Sequence, residues 1–100
     1  MVTYPIHVKR DAYRGANPKR RFKALETNRI AFELEEYINP QLKAQTEPVK
    51  NYSYYEIANA TGYSETVVRD LCFCIDCGHH GFTAIKHGMS YEEAMASLGF

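Results

Sequence analysis

The chain has 100 residues, of which 45% are hydrophobic and 13% aromatic, and its 12 basic and 12 acidic residues cancel to a formal net charge of zero. This size and composition predict a single domain, residues 1–100, and exclude two independent domains or a largely disordered chain. No stretch approaches the roughly 18 apolar residues that cross a bilayer, and the first residues lack the apolar run of a signal peptide. We therefore expect a soluble cytoplasmic protein that has no membrane partner.

The basic residues are concentrated near the amino terminus. Residues 1–23 hold seven Lys and Arg residues and one acidic residue, Asp11, so this segment carries +6 and the remaining chain carries −6. Such segregation favours a basic segment that binds phosphate groups or an acidic partner. The alternative is a solvated basic arm without a partner. The seven basic residues are Lys9, Arg10, Arg14, Lys19, Arg20, Arg21 and Lys23.

The residues before the first helix alternate between apolar and polar side chains. Ile6 and Val8 have polar neighbours, which is the period of a half-buried strand, and Pro5 limits such a strand to a sheet edge. We therefore predict a strand over residues 3–9, within a basic arm or edge strand that covers residues 1–16.

The longest helix is predicted over residues 18–38. Asn17 followed by Pro18 is typical of a helix start, because proline lacks only an amide hydrogen that would be unpaired there. The dipeptide Asn39-Pro40 predicts the end of the helix. Its apolar face is broad enough to pack on the core or on a second subunit. The basic first turns oppose the helix dipole, so a partner for this end is expected.

A polar connector over residues 40–52 leads to a pair of short helices. Ser53 and Glu56 have the spacing of a capping box, in which a hydroxyl and a carboxylate bind amides of the first turn. Gly62 can adopt the left-handed conformation that follows a helix. Ser64 is then placed to cap the second helix of the pair.

Residues 78–100 are expected to form one strand and a last helix. Glycines bound the segment 82–87, which predicts a short strand that could pair with residues 3–9. Ser90 begins another capping box and predicts a helix over residues 91–98.

The segment from Tyr54 to Phe73, "YYEIANATGYSETVVRDLCF", resembles the helix-turn-helix of bacterial and phage DNA-binding regulators. The small alanine lets the two helices approach, the glycine makes the turn, and the branched residues fill the angle between the helices. The resemblance implies a mainly α, winged-helix-like fold whose second helix, residues 65–77 before Gly78, lies in the major groove of DNA. The matching positions are Ile57, Ala58, Gly62, Tyr63, Val68 and Leu71.

The resemblance also implies which side chains meet DNA. Arg69 has the geometry to bind guanine through two hydrogen bonds, whereas Glu65 and Asp70 oppose binding near phosphates. The basic segment is therefore expected to supply the phosphate contacts. On the second helix the expected contact residues are Ser64, Glu65, Thr66, Arg69 and Asp70, with Phe73 beside them. The expected phosphate contacts are Arg14, Lys19, Arg20, Arg21 and Lys23, together with Lys86 and His87 at the place of the wing.

These features predict a small sequence-specific DNA-binding protein, a transcriptional regulator that binds double-stranded DNA as a homodimer through its long helix. The alternative is a protein-interaction module that uses the same scaffold to bind another regulator, which the acidic residues of the second helix favour. The chain lacks the sequence patterns of a metalloprotease, a serine hydrolase, a P-loop or a dinucleotide-binding turn. We therefore expect neither an enzyme nor a cofactor.

Residues 72–80, "CFCIDCGHH", hold all three cysteines and two of the four histidines. In a helix, Cys72 and Cys74 lie about 200° apart around the axis, so they cannot bind one zinc ion together. We expect both to be small apolar core residues and predict no metal site. The alternative is a zinc site built from Cys74, Cys77, His79 and His80.

Overall fold

The computed structural model of the chain describes residues 1–99, which form four helices and one two-stranded sheet. The predicted mainly α fold with a small β element is confirmed. In chain order the elements are α1 (Pro18–Ala44), β1 (Val49–Ser53), α2 (Tyr54–Thr61), α3 (Glu65–Asp76), β2 (Gly81–Ile85) and α4 (Tyr91–Ser97). Within the described residues, none of these helices combines the length and the apolar character needed to cross a bilayer.

Helix α1 begins as predicted but ends later. The Asn17 side chain caps it by accepting a hydrogen bond from the amide of Arg20 (3.1 Å). The predicted end at Asn39-Pro40 is wrong, because the helix continues through Pro40 to Ala44. Proline inside a helix costs about 3 kcal/mol, and burial of the side chain of Leu42, which is 1% exposed, offsets part of that cost.

The small sheet pairs β1 with β2 in antiparallel register, so that Tyr52 lies opposite Phe82 and their rings stack with centroids 5.2 Å apart. The predicted connector over residues 40–52 is therefore wrong at both ends, since it contains the end of α1 and most of β1. The sequence VKNYS of β1 has little apolar alternation, which is why its strand character was not predicted.

The predicted strand over residues 3–9 is also wrong, although its burial pattern is correct. Ile6 and Val8 are buried while their neighbours face solvent. Side chains of α1 take the place of a neighbouring strand. The amides of Ile6 and Val8 donate to the side chains of Asn39 and Glu35, and farther along the arm the amide of Asp11 donates to Asn28. Among the described residues, bridge pairing of the arm with the sheet is limited to Val2, which lies parallel to Ala84 of β2.

The helices α2 and α3 are joined by a tight turn whose caps match the sequence prediction. Gly62 adopts a left-handed conformation (φ 82°), and the Ser64 hydroxyl accepts a hydrogen bond from the amide of Val67 (3.2 Å). The end of α3 differs by one residue from the prediction, because Cys77 rather than Gly78 takes the left-handed conformation (φ 52°). Gly78 is required for another reason: a Cβ atom there would overlap the carbonyl oxygen of Gly81.

The core lies where α1, α2 and α3 meet the sheet. Among the described residues, Gln45 is the one buried polar side chain. It accepts a hydrogen bond from the Tyr52 hydroxyl (2.8 Å) and donates to the carbonyls of Ala84 (3.0 Å) and Glu47 (2.9 Å). The end of α1 is thereby tied to both strands. The largest fully buried side chains are Tyr54, Leu34, Ile38, Leu42, Val68 and Cys72.

Candidate nucleic-acid interface

One face of α3 is buried and the opposite face is exposed. Val68 and Cys72 are fully buried against the core, so residues on the opposite side of the helix point to solvent. All five residues predicted to contact DNA on this element are exposed, and so is the aromatic ring beside them. The exposed residues are Ser64, Glu65, Thr66, Arg69, Asp70 and Phe73.

Arg69 is weakly held by its surroundings. Its Nε atom lies 3.9 Å from Oδ1 of Asp70, and its side chain is 44% exposed. At this distance the pair is beyond hydrogen-bond length, and exposed ion pairs of this kind contribute little to stability. The planar guanidinium group is therefore available for a second partner, and its two parallel N–H donors match acceptors such as O6 and N7 of guanine.

Two of the seven basic side chains near the amino terminus form ion pairs within the protein. Arg10 pairs with Glu35 (3.0 Å), and Arg20 binds both carboxylate oxygens of Asp11 (2.5 and 3.0 Å) and lies over the ring of Tyr13. The hydrogen bond from Arg20 lowers the pKa of Asp11 and raises the pKa of Arg20 itself. Arg20, which was predicted to bind phosphate, is instead engaged in this ion pair.

The other five cations face solvent, and none of them has a carboxylate partner within residues 1–99. They lie along the arm and the first turns of α1, and we name them together the basic segment. The five residues are Lys9, Arg14, Lys19, Arg21 and Lys23.

A surface groove of about 490 Å³ joins the basic arm to α3. Lys9 and Arg10 line it on the side of the arm, and Asp70 and Leu71 line it on the side of α3. The fold therefore places residues 9–12 of the arm beside Asp70 and Leu71 of α3. Lys86 lies elsewhere: its amide donates to the carbonyl of Pro48 (2.9 Å), just after β2, and it does not line this groove.

Residues 72–80 do not form a ligand set for a metal ion. Cys72 is buried, and burial raises the pKa of its thiol to about 12. The prediction that Cys74 is a core residue is wrong, because it faces solvent from the outer side of α3. Cys77 is also exposed, and the His79 ring lies 5.9 Å from the ring of Phe73. Across residues 1–99, no three potential ligand side chains are gathered closely enough to bind a metal.

The residues that position the arm were not identified from the sequence. Asn28, Glu35 and Asn39 are spaced by seven and four positions, so they form one polar line along α1. This spacing was a usable signal for a docked extended segment. Tyr63, in the turn before α3, was identified only as a matching position of the helix-turn-helix, yet its hydroxyl contacts Glu33 and Arg29 of α1.

The chain matches no family model, and it has no significant match among curated proteins or among solved structures. The functional interpretation therefore depends on the geometry of α3 and the basic segment.

Proposed function

We propose that the protein is a small sequence-specific DNA-binding protein that acts as a cytoplasmic transcriptional regulator and not as an enzyme. The observation that carries the proposal is the groove that joins the basic arm to the exposed face of α3. A DNA duplex offers base edges in its major groove and phosphates at the rim of that groove. The exposed face of α3, with the unpaired cation Lys9 of the basic segment across the groove, matches both features.

In this proposal α3 enters the major groove and reads bases. Arg69 binds guanine through its two parallel donors, and Thr66 contacts a base or a phosphate from the preceding turn. The Ser64 hydroxyl already accepts the capping hydrogen bond from Val67, so it is left to donate its proton to a phosphate oxygen. Glu65 and Asp70 accept hydrogen bonds from cytosine amino groups and disfavour other bases.

The basic segment supplies the affinity that α3 lacks. Each Lys or Arg that contacts a phosphate releases a counterion from DNA, so binding weakens with salt. If all five unpaired cations take part, the slope of log affinity against log salt is roughly −4 to −5 for each chain. Arg10 and Arg20 add little to this slope because their charges are already compensated by Glu35 and Asp11.

The proposal is tested by selecting bound duplexes from a random pool and then measuring affinity for the enriched duplex by fluorescence anisotropy at several salt concentrations. We expect Arg69→Ala to weaken the selected duplex far more than a random one. Lys19→Ala and Lys23→Ala are each expected to weaken both duplexes equally and to reduce the salt slope by about 1.

Lys43→Ala is the matched control, because Lys43 is an exposed lysine in the last turn of the same helix. It is expected to leave affinity and salt slope unchanged. If no duplex is enriched and the unselected duplex does not bind in low salt, the protein does not have this function.

A second function is favoured by the chemistry of the exposed face of α3. Phe73 is 41% exposed, one turn after the acidic Asp70 on the same helix. An exposed aromatic ring with an acidic neighbour is better suited to a protein surface than to a phosphate backbone. In this alternative α3 binds another regulator. Two variants distinguish this function from DNA binding. If α3 binds a protein, Arg69→Ala would leave DNA binding unchanged, and Phe73→Ala would abolish binding of the protein partner.

A further inference from the structure

Helix α1 carries two separate apolar faces. One is the core face. The other consists of Phe22, Leu25 and Phe32, whose exposed fractions are 67%, 69% and 55%. At about 100° per residue, the two faces point roughly 150° apart around the helix axis. We name the exposed one the outer stripe. The residues of the core face are Ala24, Ala31, Leu34, Ile38 and Leu42.

The outer stripe lies largely on the part of α1 that extends beyond the core. The hydrophobic core includes α1 residues from Ile30 onward, and the molecule measures 53 Å along its longest axis against 25 and 22 Å across. Two of the three stripe residues, Phe22 and Leu25, lie on this extension, where large exposed apolar side chains indicate an interaction surface.

The charges around the outer stripe identify the partner that fits it. Arg21 and Glu36 lie near its two ends, both are exposed, and neither forms an ion pair within residues 1–99. The first turns of α1 are basic, whereas its middle and second half carry most of its glutamates. A second copy of the same helix in antiparallel orientation therefore places acidic turns opposite basic ones, while a parallel copy places like charges together.

We propose that the outer stripe binds a second copy of this chain, with the two α1 helices antiparallel. A two-fold axis between Leu25 and Phe32 sets each Leu25 opposite Phe32 of the second copy, because residues whose numbers sum to 57 then lie at the same height. The same symmetry sets Arg21 opposite Glu36 of the second copy, at both ends of the contact.

Arg29 is compatible with this position in the middle of the outer stripe. It is held by Glu26 (3.0 Å) and Glu33 (3.3 Å) of its own helix, so its charge is compensated and its aliphatic stem can lie along the apolar seam. The proposed contact also engages Arg21, which leaves four unpaired cations of each chain for phosphate. Dimer formation itself does not depend on DNA binding.

The first experiment measures the mass of the full chain without DNA by sedimentation equilibrium over a range of concentrations. We expect a reversible dimer for the wild type and a monomer for Leu25→Glu. Tyr91→Glu is the control, because Tyr91 is 60% exposed but lies on α4; it is expected to remain dimeric. Circular dichroism of each variant verifies that it is folded. A wild type that stays monomeric, or a folded Leu25→Glu that stays dimeric, overturns the proposal.

The second experiment tests the antiparallel orientation through charge reversal. Arg21→Glu and Glu36→Arg each turn two attractive contacts into repulsive ones, so each is expected to weaken the dimer by about tenfold. The two changes combined restore opposite charges and are expected to recover wild-type affinity. A double variant that remains weakened overturns the antiparallel arrangement. A dimer that forms but binds no DNA refutes the proposed function and leaves this inference standing.

Discussion

Asn39 of α1 binds both backbone polar groups of Ile6: its Oδ1 accepts a hydrogen bond from the Ile6 amide (2.8 Å), and its Nδ2 donates to the Ile6 carbonyl (3.1 Å). Asn28 binds the amide and the carbonyl of Asp11 in the same way (2.7 and 3.0 Å). A side-chain amide has one donor side and one acceptor side, as a strand neighbour does. The basic arm is therefore held on a helix by contacts of the kind that normally hold a strand in a sheet.

Substitution of Asn39 by alanine should release the arm. It leaves the two partly buried backbone groups of Ile6 without their partner, so we expect a loss of about 1 to 3 kcal/mol in the free energy of unfolding. Urea denaturation measures the loss, and hydrogen exchange at the Ile6 amide should become faster. Asn59→Ala, at an exposed position of α2, is the control and should leave both measurements unchanged.

Substitution of Gln45 by alanine should cost more than removal of the Tyr52 hydroxyl that donates to it. It leaves the Tyr52 hydroxyl and the Ala84 carbonyl unsatisfied in the core, which we expect to lower the free energy of unfolding by about 2 to 4 kcal/mol. Tyr52→Phe removes one of these hydrogen bonds and should cost about 1 kcal/mol. Equal losses for the two variants in thermal denaturation would contradict the role of Gln45 as the tie between α1 and the sheet.

Gly62→Ala tests the turn between α2 and α3. Gly62 has φ 82°, and a Cβ atom there meets no other atom within 4 Å, so the cost arises from the backbone conformation alone. We expect a loss of about 1 to 2 kcal/mol in stability and a smaller loss for Gly62→Asn, because asparagine tolerates this conformation better. Chemical denaturation of both variants makes the comparison. A more stable Gly62→Ala would show that the turn is not left-handed.

Stability should fall at alkaline pH because of Cys72. Burial raises the pKa of its thiol from 9.0 to about 12. Below pH 9 the thiol is neutral in both the folded and the unfolded chain. Between pH 9 and about 12 it ionises only in the unfolded chain. Unfolding is therefore favoured by up to about 1.4 kcal/mol per pH unit in this range. Burial also raises the pKa of Tyr52 and Tyr54, whose ordinary value is 10.0. Their ionisation in the unfolded chain therefore also favours unfolding, at higher pH than that of Cys72.

The measurement is the urea midpoint as a function of pH. Cys72→Ala should lower stability near neutral pH by about 1 to 3 kcal/mol through the cavity it leaves, and it should flatten the decline between pH 9 and 10. Cys74→Ala, at an exposed position, should retain the wild-type decline. An unchanged decline in Cys72→Ala would show that the thiol is not protected from ionisation in the folded state.

The local features of the fold were predictable from the sequence. The caps at Asn17, Ser53, Ser64 and Ser90 all formed where the sequence placed them, because a cap depends on a side chain and an amide only two or three residues away. The predictions that were wrong concern features that depend on contacts with residues distant in the sequence. Helix α1 continues through Pro40 because tertiary packing outweighs the local cost, and β1 forms because β2 lies next to it.

The candidate site also has a part that was predictable from the sequence and a part that was not. The exposure of Arg69 and its neighbours follows from the helical period of α3, which the sequence contains. The ion pair between Arg20 and Asp11 does not, since it requires the arm to fold back on α1. The groove beside Asp70 likewise exists only because Asn28, Glu35 and Asn39 fix the path of the arm over the helix.

The contact of Tyr63 with Arg29 and Glu33 has a consequence for any dimer that forms through α1. Tyr63 belongs to the turn that sets the start of α3, and Arg29 lies between the apolar residues of the outer stripe. The two α3 helices of such a dimer would be spaced by packed side chains rather than by a flexible linker. If α3 binds DNA as proposed, such a dimer would accept only one separation between two half-sites, and inserting a single base pair between those halves would prevent both helices from binding at once.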